Sequence, residues 1–275
     1  MTQTTPSGAG LSAGDVSVQD EVQDEVRVVG RGGVPGEAQV PQFRSDVTVE
    51  LVRASAQDAD VVFAARVSTQ GEQSLVGIND DPDRSRGLIN YLIRSRHGSP
   101  FEHNSMTFYV QAPIFVFREF MRHRIASYNE ESGRYRELKP VFYVPGPERR
   151  LRQVGKPGHY DFVEGSPEQY ELVQQQTRQV CTEAYAAYQR MLAAGIAREV
   201  ARIVLPLTIY SSMYVTMNAR SLMNFLSLRT TRDGSHFPSY PQREIELCAE
   251  AMERHWAALM PLTHAGFEAC GRVAP

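Results

Sequence analysis

Cysteine is scarce in this chain. Cys181, Cys248 and Cys270 stand far apart and form no CxxC pair. That spacing gives no disulfide framework and points to a reducing compartment. Long apolar runs are missing too. No stretch approaches the ~18 consecutive apolar residues of a membrane span, and the first residues hold no apolar signal segment. The expectation is a cytoplasmic protein with no membrane partner. An excess of positive charge is also absent: 29 Lys and Arg face 32 Asp and Glu, a formal net charge of −3. A general binder of nucleic acid carries the opposite balance, so no nucleic-acid partner is expected. The P-loop and GxGxxG patterns are missing, which argues against a Rossmann cofactor site. No HxxxH pair or Cys/His cluster points to a metal.

What remains is an ordinary globular composition, 42% apolar and 22% charged, able to bury a substantial core. The chain reads as one domain over residues 45–275. Residues 1–44 read as a disordered leader, rich in Gly, Ser, Gln and acids without sustained periodicity. Alternation in DVTVELV, residues 46–52, predicts a strand. QDADVVFAARVS and DRSRGLINYLIRSRH read as helices. HNSMTFYVQAP predicts a strand with Met106, Phe108 and Val110 on one face. Pro113 then opens a helix, PIFVFREFMRHR. Residues 140–165, with Pro140, Pro145, Pro147 and Pro157, read as loop. The clearest helix covers residues 167–194, with Ser166 as N-cap, Pro167 at N1, Gln169 completing a capping box and Gly195 ending it. Val173, Val180, Ala184, Tyr188 and Met191 give it an apolar side. At ~1.5 Å per residue it is ~42 Å long, enough to cross a domain and reach a subunit interface. A short helix in REVARIVLP follows, then a strand in LTIYSSMYVTM, a helix capped by Asn218 and an amphipathic helix in PQREIELCAEAMERHWAALM. The mixture predicts an α+β fold: a small, mostly antiparallel sheet packed with several helices, one of them long.

The densest cluster of charge and hydrogen-bonding groups is RHRIASYNEESGRY, residues 122–135, directly after the apolar run APIFVFREFM. On a helix Arg122, His123 and Arg124 would point ~100° apart, so not all could face solvent. A buried Arg needs an anion or a carboxylate. In one reading, Glu119, Glu130 and Glu131 pair with these arginines in an internal salt-bridge network. In the other, Arg forks grip phosphate oxygens. Ser127, Ser132 and the backbone around Gly133 then donate to the same oxygens, and a Glu accepts a ribose hydroxyl. Tyr128 and Tyr135 could also stack bases in a nucleotide- or RNA-binding module without catalysis, though the net charge counts against it.

The same stretch is similar to the signature of the flavin-dependent thymidylate synthases. That signature is Arg-His-Arg, seven residues, then Ser, here Arg122-His123-Arg124 to Ser132. The resemblance extends upstream through SPFEHNSMTFYVQAPIFVFREFMRHR and downstream through REVARIVLPLTIYSSMYVTMNARSLMNFLSLR, covering most of residues 85–230. It implies the fold of that family and reductive methylation of dUMP to dTMP. The one-carbon donor would be 5,10-methylenetetrahydrofolate, and FAD reduced by NADPH would supply the hydride. It also implies a homotetramer whose active sites are shared between chains.

Carried over residue by residue, the resemblance implies that Arg122, Glu130, Glu131, Ser132, Gly133, Arg134 and Arg202 bind dUMP, with Glu119, Phe120 and Met121 lining the approach. It implies FAD contacts from Ser99, Arg122, His123, Arg124, Glu130, Asn218, Ala219, Arg220 and Asn224. Arg229 would sit against the uracil ring as the catalytic residue, polarising its N3/carbonyl edge. No cysteine adjoins an Arg-rich site that would lower its pKa, so no thiol nucleophile is expected. Length differences from the family pattern leave the roles of His97 and His236 open. A flavoenzyme with a different acceptor is the other enzymatic reading. Plainer roles stand beside these: His103 as a core histidine with Glu102, Asn218 as a helix cap, SSMYVTM as a core strand, and His255 and His264 as surface or packing groups.

Overall fold

Alternating apolar residues build the centre of the fold. The computed structural model describes residues 40–75, 81–156 and 159–275; most of the expected leader, residues 1–39, lies outside the described residues. In chain order the elements begin with β1 (Gln42–Arg44), β2 (Thr48–Ser55), α1 (Asp58–Gln70), α2 (Pro82–Arg94), β3 (Ser105–Pro113), α3 (Ile114–Phe120) and β4 (Ser127–Glu130). Then come β5 (Val141–Tyr143), β6 (Arg152–Lys156), β7 (His159–Val163), α4 (Pro167–Ala193) and α5 (Arg198–Ala201). The chain closes with β8 (Tyr210–Met217), α6 (Ala219–Arg229), α7 (Arg243–Leu259) and α8 (Pro261–Ala269).

The main sheet is antiparallel, in the order β2-β3-β8-β4. Met106, Phe108 and Val110 pair across from Met217, Val215 and Met213, and all six are buried on one face. The period of two expected for both strands therefore holds. Leu222, Met223, Phe225 and Leu226 of α6 and Ile245, Cys248, Met252 and Trp256 of α7 join the same core. The other face is more polar: the Thr107 and Thr216 hydroxyls meet at 2.9 Å, and Tyr109 and Tyr214 lie edge to face at 6.0 Å. The fold is thus the expected α+β arrangement. Among the described residues no helix is long and apolar enough to cross a membrane.

Helix α4 carries its capping box. Ser166 Oγ accepts from the Gln169 N–H at 3.3 Å, and Gln169 Oε1 accepts from the Ser166 N–H at 2.9 Å. Its buried side chains, Cys181, Tyr185 and Tyr188, pack with Leu138, Phe142, Ala201 and Ile209 in a second core. Val180, expected on the apolar side, is exposed, as is Leu172.

Three expectations are corrected. Pro113 ends β3 and caps α3 rather than entering it, and α3 stops at Phe120. Arg122, His123 and Arg124 therefore sit on a turn, not a helix. The stretch 140–165 holds three short strands: β5 pairs in parallel with β1, and β6 pairs with β7 as a hairpin. Strand β1 itself falls inside the stretch read as leader.

A buried ionic latch ties the C-terminal segment to α6. The Arg272 guanidinium, 2% exposed, donates to Glu253 Oε1 at 2.7 Å, to Thr230 Oγ1 at 2.8 Å and also to Glu268. His264 Nε2 lies 3.1 Å from Glu253 Oε1. Glu253, His264 and Glu268 have the spacing of a metal cluster, but the Arg272 guanidinium already supplies the positive charge among them. Burial alone would push the Glu253 carboxyl up; hydrogen bonds from His264 and Arg272, with the charges of Arg272 and Arg232, outweigh it and hold it at about 2. The folded-state value lies below the ordinary one. Its stabilisation is therefore complete above the usual carboxylate range and is lost as pH falls through that range toward about 2. Glu253→Gln should cost about 3 kcal/mol at neutral pH, and urea unfolding should show the gap to the parent closing as the solution is acidified below about pH 4.5. A gap that stays constant over that range would rule out the carboxylate charge as its source.

Candidate active site

Helix α3 ends with C-terminal carbonyls that the helix cannot satisfy. Tyr128 on β4 reaches back to them: its hydroxyl lies 2.8 Å from Phe120 O and 2.7 Å from His123 O. Burial pushes the Tyr128 phenol up to about 12 against the opposing charge of Arg229, so it remains a donor at neutral pH. Ser221, in the first turn of α6, holds the turn from the other side. Its Oγ donates to Ile125 O at 2.5 Å and lies 2.9 Å from His123 Nε2. The single hydroxyl proton is spent on Ile125, so His123 Nε2 carries the ring proton and Nδ1 is left as acceptor. Burial pushes His123 below its ordinary value, and the Arg229 charge lowers it further, against the hydrogen bond with Ser221. A neutral imidazole results. Phe225 supports both ends of this turn, stacked on Phe120 at 5.1 Å and edge-on to His123 at 5.3 Å.

Around that imidazole the guanidinium groups are under-used. Arg122 and Arg124 are exposed, and neither enters an ion pair among the described residues. Met121 is exposed beside them. Arg229, at the end of α6, lies 3.5 Å from Glu119, and its buried Nε has no hydrogen-bond partner. Spare N–H groups of this kind fit an anionic, oxygen-rich ligand.

Beyond Tyr128 the chain builds a second group. Gly133 is buried; a Cβ there would come 3.1 Å from Leu138 and 3.3 Å from Arg202 Cδ, so glycine allows the backbone to lie against Arg202. Glu130, Glu131, Gly133 and Arg202 line a cavity of about 230 Å³. Burial of its carboxyl pushes Glu130 up, Glu131 adds to this, and Ser211 and Arg202 oppose it. Arg134 pairs with Glu199 at 2.9 Å, and Glu131 with Arg136 at 3.0 Å. The salt-bridge reading is therefore corrected: Glu119 and Glu131 do form ion pairs, but with Arg229 and Arg136 rather than with the arginines of the stretch, and Arg134 finds its partner outside it. Neither Arg229 nor any of residues 119–124 lines this cavity.

A third group gathers at the start of α6. Asn218 is its cap, Oδ1 accepting from the Ser221 N–H at 2.8 Å. The Ala219 N–H donates to Asn104 Oδ1 at 2.8 Å, and Asn224 Nδ2 donates to Arg220 O at 3.0 Å. Arg220 pairs with Glu102 at 2.5 Å, in the turn that Ser99 opens, and packs over Gly98. Glu102 is thereby engaged away from His103, which is exposed rather than a core histidine. His97 stacks on Tyr91 at 5.9 Å, and the His236 N–H donates to Gly271 O at 2.9 Å. His255 packs against Phe108 and His264 against Trp256, as packing groups. Cys248 is buried, and burial with the nearby Glu244 charge pushes its thiol far up; burial also raises Cys181 despite a contact with Thr208.

Two residues that shape the turn were not legible. Tyr128 reads as a base-stacking ring, yet its hydroxyl works inside its own chain. Ser221 carries no signal beyond lying three residues after the cap. Tyr128→Phe should cost about 1 kcal/mol and should speed amide exchange of residues 121–124 roughly fivefold. Exchange there that matches the parent would remove the clamp.

Residues 50–262 match the family described as thymidylate synthase complementing protein (Thy1). The flavin-dependent thymidylate synthase of Streptomyces coelicolor is 66% identical over 243 residues, covering 88% of this chain and 99% of that protein. The same-named protein of Tropheryma whipplei is 63% identical over 236 residues, covering 86% and 98%. Among solved structures, the UMP/dUMP methylase PolB from Streptomyces cacaoi bound with 5-Br dUMP matches with a TM-score of 0.81 at 57% identity, over 85% of this chain and 100% of that one. Its complex with 5-Br UMP matches with a TM-score of 0.79 at 56% identity, over 86% and 99%. This chain belongs to the flavin-dependent thymidylate synthase family.

Proposed function

We propose that this protein is a flavin-dependent thymidylate synthase that converts dUMP to dTMP, with 5,10-methylenetetrahydrofolate as one-carbon donor, FAD as cofactor and NADPH as reductant. The observation that carries the reading is the turn at Arg122–Arg124: two guanidinium groups without an ion pair among the described residues flank a neutral His123, with the spare Nε of Arg229 within electrostatic reach. Phosphates of a nucleotide substrate and a dinucleotide cofactor call for such donors. FAD, when bound and reduced, supplies the hydride. The chain itself binds and orients. Arg122, Arg124, His123 and the residues at the start of α6 (Asn218, Ala219, Arg220 and Asn224), with Ser99, would hold the cofactor. Ser132, Gly133, Arg134 and Arg202 would hold the dUMP phosphate, and Arg134 would give up only an exposed pair with Glu199, which is worth little. Arg229 would polarise the uracil edge and stabilise charge developing on the ring.

The Gly133–Arg202 cavity and the Arg229 region are separate within one chain. A homotetramer in which one chain's phosphate-binding residues complete another's active site would bring the two together. The free thiols Cys181, Cys248 and Cys270 suit the cytoplasm.

Anaerobic dTMP formation, with FAD, NADPH, folate and dUMP omitted in turn, tests the reaction. Product should require all four, and turnover without flavin would overturn the reading. UMP is run in parallel, because the neighbour's name covers both nucleotides. Each single Cys→Ala variant should keep methyl transfer.

The two arginines should separate by role. Losing a charge-assisted phosphate contact costs about 1.5–3 kcal/mol, so Arg134→Ala should weaken dUMP roughly 10- to 150-fold while flavin still binds. Arg229→Ala should slow single-turnover dTMP formation even at saturating dUMP. Normal turnover at saturation would remove Arg229 from the chemistry.

A further inference from the structure

The ends of α2 and α8 meet beside the start of α6. Helix α8 packs on α2 through the buried Gly266, where a Cβ would stand 2.8 Å from both Asn90 Oδ1 and Ile93 Cδ1. Each helix then closes in a left-handed turn, at Arg96 (φ 61°) after α2 and at Gly271 (φ 67°) and Arg272 (φ 58°) after α8. The His97 N–H donates back to Leu92 O and the Arg272 N–H to Phe267 O, both at 2.9 Å. Such bonds satisfy the last carbonyls of a helix and fix where the chain goes next. One turn leads into Gly98 and the other into residues 273–275.

Arg220 lies at their junction. Its Nε donates to Pro275 O at 2.7 Å, and its Nη1 donates to Glu102. Gly98 is buried against the guanidinium: a Cβ there would stand 2.6 Å from Arg220 Cζ and 2.8 Å from Pro275 O. The Gly98 backbone, φ −79° and ψ −30°, is one that any residue adopts. Position 98 therefore requires empty space rather than conformational freedom. Ala274 and Pro275 are themselves buried, which holds the acceptor in place. Among the described residues, Nη2 of Arg220 has no hydrogen bond.

The Arg220 side chain is 40% exposed. A long side chain with that freedom ordinarily samples many rotamers, and a ligand that takes it must first order it. Here the fold has already ordered it. Two of its three nitrogens are held by the chain, and the third keeps its N–H groups for an incoming oxygen.

We propose that Gly98 and residues 273–275 form a positioning device for Arg220, holding its guanidinium in one orientation for anionic oxygens of the flavin cofactor. The inference rests on the reading above, in which Arg220 binds FAD. Gly98 and Pro275 touch no cofactor in this scheme and act only through Arg220.

The probe is FAD, titrated calorimetrically into the flavin-free full-length protein and into Gly98→Ala, Arg220→Ala and the double variant. Gly98→Ala should weaken FAD about three- to tenfold, the cost of ordering one long side chain. In the Arg220→Ala background the same change should leave FAD affinity as it was, because no guanidinium remains to be placed. A merely structural role for Gly98 would carry its loss into the double variant. A chain ending at Val273 removes the acceptor and leaves position 98 untouched. It should show the same pattern with and without Arg220, and it keeps the test in force should Gly98→Ala not fold. FAD affinity like the parent's in both the Gly98→Ala and the shortened chains, or a loss that persists without Arg220, would overturn the device and leave the flavin reading intact. Arg220→Ala binding FAD as tightly as the parent, or a parent that binds no FAD, would overturn the assignment of Arg220 and the device with it.

Discussion

Helix α6 is held at both ends by hydrogen bonds at least partly shielded from water, and the placement of the candidate active site rests on that. At its start, Asn218 caps the first turn and Ser221 fastens Ile125 and His123. At its end, Thr230 accepts from Arg272, and the Thr231 N–H donates to Glu246 at 2.8 Å. Between these anchors lie 11 helical residues, ~16 Å of rise. The helix acts as a spacer, setting the distance between the Asn218–Arg220 cluster and Arg229. A rigid element places side chains more precisely than a loop could. The loop that carries candidate site residues, 121–126, is clamped from two sides to compensate.

Burial and pairing sort the arginines by role. Arg272 is buried and engaged with carboxylates, and the half-buried Arg149 is paired with the buried carboxylate of Glu244. Removing a partner from such a pair leaves an uncompensated buried charge, a loss of about 3–5 kcal/mol. Arg122 and Arg124 stay in water, where an unpaired guanidinium costs little, since even exposed pairs are worth only about 0–1 kcal/mol. Arg229 is between these limits. Its side chain is 19% exposed, its one carboxylate is 3.5 Å away, and its Nε is unserved. A fold under pressure only for stability would satisfy that atom. An open donor of this kind would suit charge that arrives with a ligand.

The sequence carried the parts that depend on repetition. Met106, Phe108 and Val110 alternate over a full strand, and Ser166 to Gln169 spell out a capping box, so both were legible. Strands β4 to β7 were not, because runs of three to five residues in polar or Pro-rich sequence show no period. The end of α3 was missed for a related reason. Past Phe120 the chain tightens into a turn, the His123 N–H donating to Phe120 O at 2.9 Å, and a hydroxyl eight residues further on meets the same oxygen; helical periodicity says nothing of either. The candidate site residues were named through the Arg-His-Arg pattern and its flanks. Their partners were not: Glu199 lies 65 residues from Arg134, and Ser221 lies 98 residues from His123.

Strand β4 shows how register divides the work of neighbouring residues. Side chains alternate across a sheet, so Tyr128 and Glu130 share one face and Asn129 and Glu131 the other. Tyr128 pairs across from Val215 and Glu130 from Met213, both on the apolar face. Tyr128 can therefore bury its ring and reach the end of α3. Glu130, though its residue remains open to solvent, has its carboxyl partly desolvated and its proton affinity raised. Glu131 emerges on the opposite face, where it accepts from Ser212 and pairs with Arg136. Two adjacent glutamates thus differ in what they can do: one is held toward Arg202 as a more basic carboxylate, and the other is fixed in a surface pair. A slip of one residue in the β4–β8 pairing would exchange these roles and turn the Tyr128 hydroxyl away from α3. The interlocking of Tyr128 with Phe120 and His123 therefore fixes the register of an edge strand that has only four residues and little apolar pattern to fix it otherwise.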